Sequence, residues 1–172
     1  VNLAKVDPLT ADKPRDQHRY INADGISSDG FELELAGELY PGLQVSIGLT
    51  DFNISGDDVV RDYTPSRLLK MAATYQVESI TGLSIGMNMR WQDDISRVQV
   101  TAEKSPTGQD VVTYQDAYSV INLMAKYDIN EKVSVSVNAN NVTDEKYINS
   151  LYWAQGYYGA PVNYTATLSW QL

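Results

Sequence analysis

Apolar and polar residues alternate with a period of two along most of this chain. In the segment "FELELAGEL", Phe31, Leu33 and Leu35 share one parity, whereas Glu32 and Glu34 share the other. The alternation recurs at 43–50, 69–78, 83–92, 121–127, 133–140 and 162–172. Because successive side chains of a β-strand point to opposite faces, the pattern predicts an all-β protein built from antiparallel strands.

The connections between these segments alternate between short and long. Short turns are predicted near residues 41, 80 and 130, and long polar links at 8–18, 55–64, 94–112 and 149–160. Transmembrane β-barrels show this asymmetry, with short turns at the periplasmic end and long loops outside. We therefore expect an antiparallel transmembrane β-barrel and not a soluble β-sandwich, in which the apolar parity would face a second sheet.

Two sets of residues support the barrel. Charged residues inside the strands fall on the polar parity, which a water-filled lumen accepts: Glu32, Glu34, Lys70, Glu78, Arg90 and Lys126. Aromatic residues flank the apolar parity, as expected for girdles at the membrane interfaces: Tyr40, Tyr75, Tyr127, Tyr164 and Trp170. Trp91 shares the apolar parity, so we expect it to face lipid and not a ligand.

Composition removes several other classes of protein. The chain has 172 residues, a formal net charge of -9 and no cysteine, so it offers no disulfide, thiolate metal site or cysteine nucleophile. The acidic balance argues against nucleic-acid binding, which needs surplus Lys and Arg to neutralise phosphates. No apolar run reaches the roughly 18–20 residues of a transmembrane helix, so a helical membrane protein is excluded.

Neither catalysis nor metal binding is expected. The single histidine, His18, lies near Asp16, but no nucleophile motif accompanies them, and a loop histidine between charged residues is most often solvated. The acidic pairs Asp57-Asp58 and Asp93-Asp94 lack the spacing of a calcium-binding EF-hand loop. We therefore predict no catalytic residues, no protein ligands to a metal and no enzymatic activity.

At the level of longer segments, the sequence resembles a known family. The segments are "GFELELAGELYPGL", "YTPSRLLKMAATYQV", "GLSIGMNMRWQ", "YSVINLMAKYDINEKVSVSVNANNVTDEKY" and "YGAPVNYTATLSW". They resemble the C-terminal part of the β-barrel of TonB-dependent outer-membrane receptors, in the ferric-siderophore branch. The resemblance implies that residues 1–172 form about the last eight strands of a 22-stranded barrel that is closed by a plug domain. The first strand, "VNLAKVDP", would be cut short, and the plug domain and earlier strands would be absent from this chain.

The function that this resemblance implies is TonB-dependent uptake of a ferric siderophore across the bacterial outer membrane. The siderophore is then the transported ligand and holds the iron itself, so no cofactor is expected. The implied partners are the TonB complex, reached through the absent N-terminal region, and the lipid and lipopolysaccharide of the outer membrane. No nucleic acid is expected among the partners.

Candidate ligand residues come from the last long loop and from the lumen. The aromatic residues of this loop would stack on a siderophore or hydrogen-bond to it, or would pack against neighbouring loops: Tyr152, Trp153, Tyr157 and Tyr158. On the polar parity, Arg90 and Lys126 would attract an anionic ferric complex, or would pair with Glu32, Glu34 or residues of the plug.

Two segments bear on the comparison with the family pattern. In "NANNVTDEKY" the strand is expected to end at Asn140-Asn141, and the residues that follow resemble a family signature with a structural role. Near the C-terminus, Gly159-Ala160-Pro161 is followed by Val162 where the family usually has arginine, and the last residue is Leu172 and not phenylalanine. Either Trp170 takes the role of the terminal aromatic residue, with help from Leu172, or assembly is less efficient.

Two other hypotheses stay open at this stage. About eight strands would also suffice for a complete small outer-membrane barrel with a structural or adhesive role. A Tyr-rich soluble β-protein that binds a partner would show a similar alternation. An isolated piece of a larger barrel has two unpaired edges, so we expect this segment to aggregate unless the rest of the barrel is present.

Overall fold

The computed structural model describes residues 3–23, 27–55, 64–99, 108, 111–151 and 156–171. Contacts within the chain divide it into two units, Val1–Gly30 with Phe52–Arg61 and Phe31–Asp51 with Asp62–Leu172. The second unit contains the residues on which the functional argument rests. Among the described residues, no helix is long and apolar enough to cross a lipid bilayer.

The first unit contains a two-stranded antiparallel ribbon. Its strands are β1 (Leu3–Val6) and β2 (Tyr20–Ala23), and 3-10 turns at Pro8–Thr10 and Arg15–Gln17 lie between them. The sequence predicted "VNLAKVDP" as the first strand of the barrel sheet. In the structure Leu3–Val6 pairs with β2 in a separate two-stranded sheet, and residues 7–19 connect the two strands.

Asp7 stabilises the turn between β1 and β2. Its Oδ1 accepts a hydrogen bond from the Leu9 N–H at 3.0 Å, and its Oδ2 accepts one from Arg19 Nε at 2.6 Å. The Leu9 bond and the Arg19 guanidinium together hold the pKa of Asp7 below its usual range, against the opposing effect of burial. The charged carboxylate therefore stabilises this loop.

Eleven further strands follow in the described part of the chain. They are β3 (Ser27–Tyr40), β4 (Leu43–Ser55), β5 (Arg67–Gln76), β6 (Leu83–Gln92), β7 (Ile95–Gln99), β8 (Val111–Gln115), β9 (Tyr118–Asn130), β10 (Val133–Asn140), β11 (Ile148–Ser150), β12 (Tyr157–Tyr158) and β13 (Asn163–Trp170). Seven of them form one sheet in the order β13-β10-β9-β6-β5-β4-β3, while β7 pairs with β8 and β11 pairs with β12. Neighbours in the sheet follow one another along the chain apart from the two inserted hairpins, as in an antiparallel meander.

The register of the sheet separates apolar and polar residues onto two faces. Met71 lies opposite Met89, and Met89 lies opposite Ile121, so apolar side chains form rows across neighbouring strands. On the other face Asn88 lies opposite Asn122, and Asn122 Nδ2 donates a hydrogen bond to Asn88 Oδ1 at 2.7 Å. A one-residue shift in pairing would move every apolar side chain to the polar face, so the alternating sequence specifies this register.

The apolar face of the sheet is exposed. Large apolar side chains on this face are accessible to solvent, among them Leu35, Ile85, Leu123 and Leu168. The buried apolar residues of the described chain are Ile95, Tyr118 and Leu151. They lie at the end of the sheet opposite the short turns, which we call the loop end, or in the connections beyond it. A soluble sandwich would cover such a face with a second sheet, whereas a membrane-spanning wall leaves it to lipid.

Aromatic residues mark the two ends of the sheet. Tyr75, Tyr127 and Trp170 pair with the first residues of β4, β6 and β10, so they lie at the end with the short turns. Tyr40, the last residue of β3, also adjoins a short turn. Tyr164 lies opposite the penultimate residue of β10, near the other end. This placement fits aromatic girdles at two membrane interfaces.

The connections differ in detail from the expectation. The link expected across "DINE" is shorter because β9 continues to Asn130, whose Oδ1 accepts hydrogen bonds from the N–H groups of Lys132 and Val133 at 2.9 and 3.0 Å. Gly82 has a φ of 85° in another turn, and an added Cβ there would lie 2.7 Å from the Asp128 carbonyl oxygen. The two long links after β6 and β10 contain the β7–β8 and β11–β12 hairpins, so they are not devoid of strands.

Candidate ligand-binding site at the loop end of the sheet

The segment that follows β10 is anchored by the buried side chain of Asn141. This residue is 3% exposed and adopts a left-handed backbone conformation with a φ of 50°. Its Nδ2 donates hydrogen bonds to the carbonyl oxygens of Glu145 and Ala160 at 2.9 and 3.0 Å, and its Oδ1 accepts one from the Glu145 N–H at 2.9 Å. Its own N–H donates to Asn122 Oδ1 at 2.8 Å. Asparagine suits this position because it tolerates positive φ and because its amide group both donates and accepts.

Asp144 makes a second link between the same two stretches of chain. Its φ is also 50°, and its Oδ1 accepts a hydrogen bond from the Val162 N–H at 2.9 Å. Because this bond uses the backbone of Val162, it does not depend on the side chain at which the sequence departs from the family pattern. The "NANNVTDEKY" segment thus joins the end of β10 to the segment that leads into β13, in agreement with the structural role expected of it.

Tyr147, the last residue of that segment, packs into a cluster with Tyr118 and Arg90. The two tyrosine rings stack with their centroids 4.4 Å apart, and the Arg90 guanidinium carbon lies 5.6 Å from the Tyr118 centroid. Arg90 Nη2 donates a hydrogen bond to Tyr118 Oη at 2.7 Å, and Tyr118 Oη donates one to Gln92 Oε1 at 3.0 Å. A Cβ on Gly159 would lie 2.0 Å from Tyr147 Cζ, so the Tyr147 ring packs directly on the glycine backbone. Ring contacts and a hydrogen bond therefore orient the Arg90 guanidinium.

Beside this cluster, the polar face carries a recess of about 330 Å³ that is lined chiefly by asparagines. These are Asn88, Asn122, Asn140, Asn141, Asn149 and Asn163. We call it the asparagine recess; Arg90 and Tyr147 also line it. Because its described lining contains no carboxylate, the recess presents amide donors and acceptors together with one positive charge. Such a surface suits a hydrogen-bonding partner that is neutral or weakly anionic.

The structure describes only residues 156–158 of the predicted aromatic loop. Tyr152 and Trp153 lie outside the described residues. Tyr157 and Tyr158 form β12, which pairs with β11, and these two residues are 64% and 65% exposed. Lys146 Nζ lies 5.1 Å from the centroid of the Tyr158 ring, so an aromatic face and an ammonium group are presented side by side.

The structure does not bring the two candidate lumen cations together. Arg90 lies near the loop end of β6, whereas Lys126 lies on β9 toward the short turns and pairs with Asp128 at 2.8 Å. In the described residues, the polar partners of these cations are thus a tyrosine and an aspartate, and not Glu32 or Glu34. Of the two cations, only Arg90 lines the asparagine recess.

Sequence reasoning did not single out Tyr118, Asn122 or Asn163, which the structure places at this site. A signal for the asparagines was present, because both share the polar parity of their strands. The register then pairs Asn122 with Asn88, and Asn163 with Asn140, whose Nδ2 donates to Asn163 Oδ1 at 2.9 Å. Strand pairing is needed to see that the asparagines form one surface.

Two of the other groups considered for catalysis or metal binding, His18 and Asp93, have structural partners. His18 Nε2 donates a hydrogen bond to the Lys13 carbonyl oxygen at 2.8 Å. Asp93 Oδ2 accepts a hydrogen bond from the Arg67 N–H at 3.1 Å. Within the described ranges, no group of three or more His, Cys, Asp or Glu residues is placed to hold a metal ion. Asp57-Asp58 lies outside those ranges.

These features define a class of protein. An antiparallel sheet with one exposed apolar face, one polar face, aromatic residues at both ends and short turns at one end is the wall of an outer-membrane β-barrel. A family model described as "TonB dependent receptor-like, beta-barrel" matches residues 3–142, and the chain belongs to this family. The predicted transmembrane barrel and the predicted family are confirmed.

Individual relatives match the chain over nearly its whole length. It is 31% identical over 175 residues to the ferripyoverdine receptor of Pseudomonas aeruginosa, covering 98% of this chain and 21% of that protein. It is 25% identical over 177 residues to the ferrioxamine B receptor of Salmonella typhimurium, covering 94% of this chain and 23% of that protein. The crystal structure of the Pseudomonas aeruginosa ferripyoverdine receptor bound to ferripyoverdine matches with a TM-score of 0.83 and 30% identity, over 98% of this chain and 23% of that one. The chain thus spans about a fifth of the length of these relatives, and its localisation is the outer membrane of Gram-negative bacteria.

Proposed function

We propose that this chain is the C-terminal barrel segment of an outer-membrane receptor that takes up a ferric siderophore in a TonB-dependent manner. The observation that carries the proposal is the similarity, over nearly the whole chain, to receptors named for ferripyoverdine and ferrioxamine B. These names favour a receptor over a complete small barrel with a structural or adhesive role. The exposed apolar face argues against a soluble binding module.

In this function the seven-stranded sheet forms part of the barrel wall, and its loop end contacts the ligand. Tyr158 and Lys146 offer a stacking surface and a positive charge at the exposed end. Deeper on the polar face, Arg90 and the asparagine recess offer hydrogen bonds to carbonyl, hydroxyl or anionic groups. The siderophore holds the iron with its own donor atoms, so the protein recognises the organic shell and supplies no ligand to the metal.

The remaining steps of transport belong to parts of the receptor outside this chain. Binding from outside would signal through the plug domain, and the TonB complex would supply the energy that opens the path. Lipid and lipopolysaccharide would contact the apolar face and the outer girdle. The proposed protein is a transporter and not an enzyme, because no covalent change in the siderophore is needed.

The proposal is tested by ligand binding to the purified full-length receptor in detergent. We expect a ferric siderophore to quench the intrinsic tryptophan fluorescence of the receptor with saturable affinity, and the iron-free siderophore to bind differently or not at all. A variant in which residues 152–158 are replaced by a Gly/Ser linker should bind more weakly. If a panel containing peptidic, hydroxamate and catecholate ferric siderophores gave no saturable signal, the proposal would be wrong.

A further inference from the structure

Two hydrogen bonds join the β7–β8 hairpin to the stretch that contains β11. Arg97 Nη1 donates to the Leu151 carbonyl oxygen at 2.9 Å, and the Ile148 N–H donates to Gln115 Oε1 at 2.6 Å. The partners are 54 and 33 residues apart in sequence. Both bonds end on a backbone atom of the 148–151 stretch, so they hold the path of the chain and not merely a side-chain rotamer.

Two buried apolar residues lie in or next to the same two hairpins. Ile95, the first residue of β7, is 4% exposed, and Leu151, directly after β11, is 1% exposed. By contrast, Tyr157 and Tyr158 of β12 are largely exposed. The exposed tyrosines therefore lie on a hairpin whose first strand is held at both ends: the Ile148 N–H is hydrogen-bonded at the base, and Leu151 is buried where the chain leaves β11.

The β11–β12 hairpin needs such support because it is very short. Its register contains only two pairs, Ile148 with Tyr158 and Ser150 with Tyr157, and it is irregular between them. An isolated two-stranded ribbon is marginally stable at best in water, even when it is longer than this. Contacts from outside the hairpin must therefore supply part of what keeps it in one conformation.

We propose that Arg97 and Gln115 are positioning residues that hold the β11–β12 hairpin, and with it Tyr157 and Tyr158, in the conformation that receives the siderophore. The inference rests on the proposed function, because it requires these two tyrosines to contact the ligand. Neither Arg97 nor Gln115 needs to touch the siderophore. Each lowers the conformational entropy that the hairpin would otherwise lose on binding, which is how preorganisation raises affinity.

The experiment uses the full-length receptor and two readouts. Hydrogen exchange measured by mass spectrometry on peptides covering 148–151 reports on the support itself, because the Ile148 amide proton is held by Gln115 Oε1. Siderophore uptake by cells then gives the KM and the maximal rate. The disrupting variants are Arg97→Ala and Gln115→Ala; the conservative ones are Arg97→Lys, which retains one donor, and Gln115→Glu, which retains the acceptor.

We expect Gln115→Ala and Arg97→Ala to accelerate exchange in 148–151 and to raise the KM roughly three- to tenfold, the usual effect of one lost hydrogen bond. The maximal rate should stay unchanged, since neither residue lies in the barrel wall. The conservative variants should recover most of the wild-type KM. A matched control is Arg15→Ala, in the loop between β1 and β2. It should change neither the hydrogen exchange in 148–151 nor the KM for uptake.

Separate results would overturn separate parts of the account. Wild-type exchange in 148–151 of both alanine variants would show that the two bonds do not hold the hairpin. Faster exchange with an unchanged KM would show that Tyr157 and Tyr158 need no positioning for the ligand. A fall in the maximal rate and in the amount of folded receptor, without a rise in KM, would assign the residues a merely structural role. If the wild-type receptor took up no siderophore of the panel, the proposed function itself would fail, and the positioning role with it, while the exchange data would still report whether the hairpin is held.

Discussion

Replacing Asn141 by alanine should release the segment after β10. The substitution removes three side-chain hydrogen bonds, two to Glu145 and one to Ala160. At about 0.5–1.5 kcal/mol each, their net contribution is roughly 2–4 kcal/mol. Alanine must also adopt the φ of 50° found here, which adds about 1–2 kcal/mol. The free energy of local opening should therefore fall by roughly 3–6 kcal/mol.

Hydrogen exchange of the Glu145 amide measures this loss directly, since that N–H donates to Asn141 Oδ1. A loss of about 3 kcal/mol or more accelerates exchange at least about 100-fold. Asn141→Gly separates the two contributions, because glycine tolerates positive φ and lacks only the hydrogen bonds. It should exchange about tenfold more slowly than Asn141→Ala.

The matched control is Asn138→Ala, which removes the same side chain three residues earlier on β10. Exchange at Glu145 should be unchanged in this control. Wild-type protection in Asn141→Ala would refute the reasoning that this side chain anchors the segment. Equal rates in Asn141→Ala and Asn141→Gly would refute only the contribution assigned to the backbone conformation.

Three further predictions concern other parts of the chain. Gly159→Ala should push the Tyr147 ring out of its stack on Tyr118, since the new Cβ would lie 2.0 Å from Tyr147 Cζ. The lost stacking energy, about 0.5–1.5 kcal/mol, should lower the local stability and weaken the near-ultraviolet circular dichroism signal. Asp7 has a lowered pKa in the folded state, so its contribution to stability is present above the usual carboxyl pKa and is lost as the pH falls through the folded value; a carbon-13 titration of its carboxyl should give a midpoint below the ordinary range. Arg90→Ala should raise the KM for siderophore roughly tenfold, whereas Lys126→Ala should leave it unchanged, because only Arg90 lines the asparagine recess.

Each of these predictions has its own control. Gly48→Ala introduces the same methyl group where nothing lies within 4 Å, so a loss equal to that of Gly159→Ala would disprove the steric argument. Asp7→Asn should make the loop of the first unit insensitive to pH in the acid range, and an ordinary Asp7 midpoint would contradict the proposed stabilisation of its charge. An equal KM effect from Arg90→Ala and Lys126→Ala would point to a general electrostatic attraction and not to the recess.

The alternation of residues was sufficient to predict the seven strands of the main sheet, its two faces and the short turns, because period two is a local property of a strand. It did not predict the hairpins β7–β8 and β11–β12. The alternation could not predict the hydrogen bonds of the site. Asn141 contacts the Ala160 carbonyl 19 residues away, and Arg97 contacts the Leu151 carbonyl 54 residues away. Such contacts depend on which strands become neighbours, and no spacing in the sequence encodes them.

For the first strand, the prediction of a strand was right but the prediction of its place in the main sheet was wrong. "VNLAKVDP" has the alternation of a strand and does form one at Leu3–Val6, but a strand pattern does not specify its partner. The connection of residues 7–19, in which Asp7 bonds to Leu9 and Arg19, brings β2 beside β1, so the ribbon forms from residues close in sequence. Ligand residues were the least predictable part, because aromatic density in a loop indicates a surface but not the contacts that orient it.

Uptake of iron-55 bound to a siderophore, by cells that lack their own receptors and express the full-length protein, tests the central claim most directly. The account predicts uptake that saturates with ferric siderophore, requires an intact TonB system and weakens when residues 152–158 are replaced. Uptake that is absent for every siderophore offered, although the folded receptor is present in the outer membrane, would contradict the account.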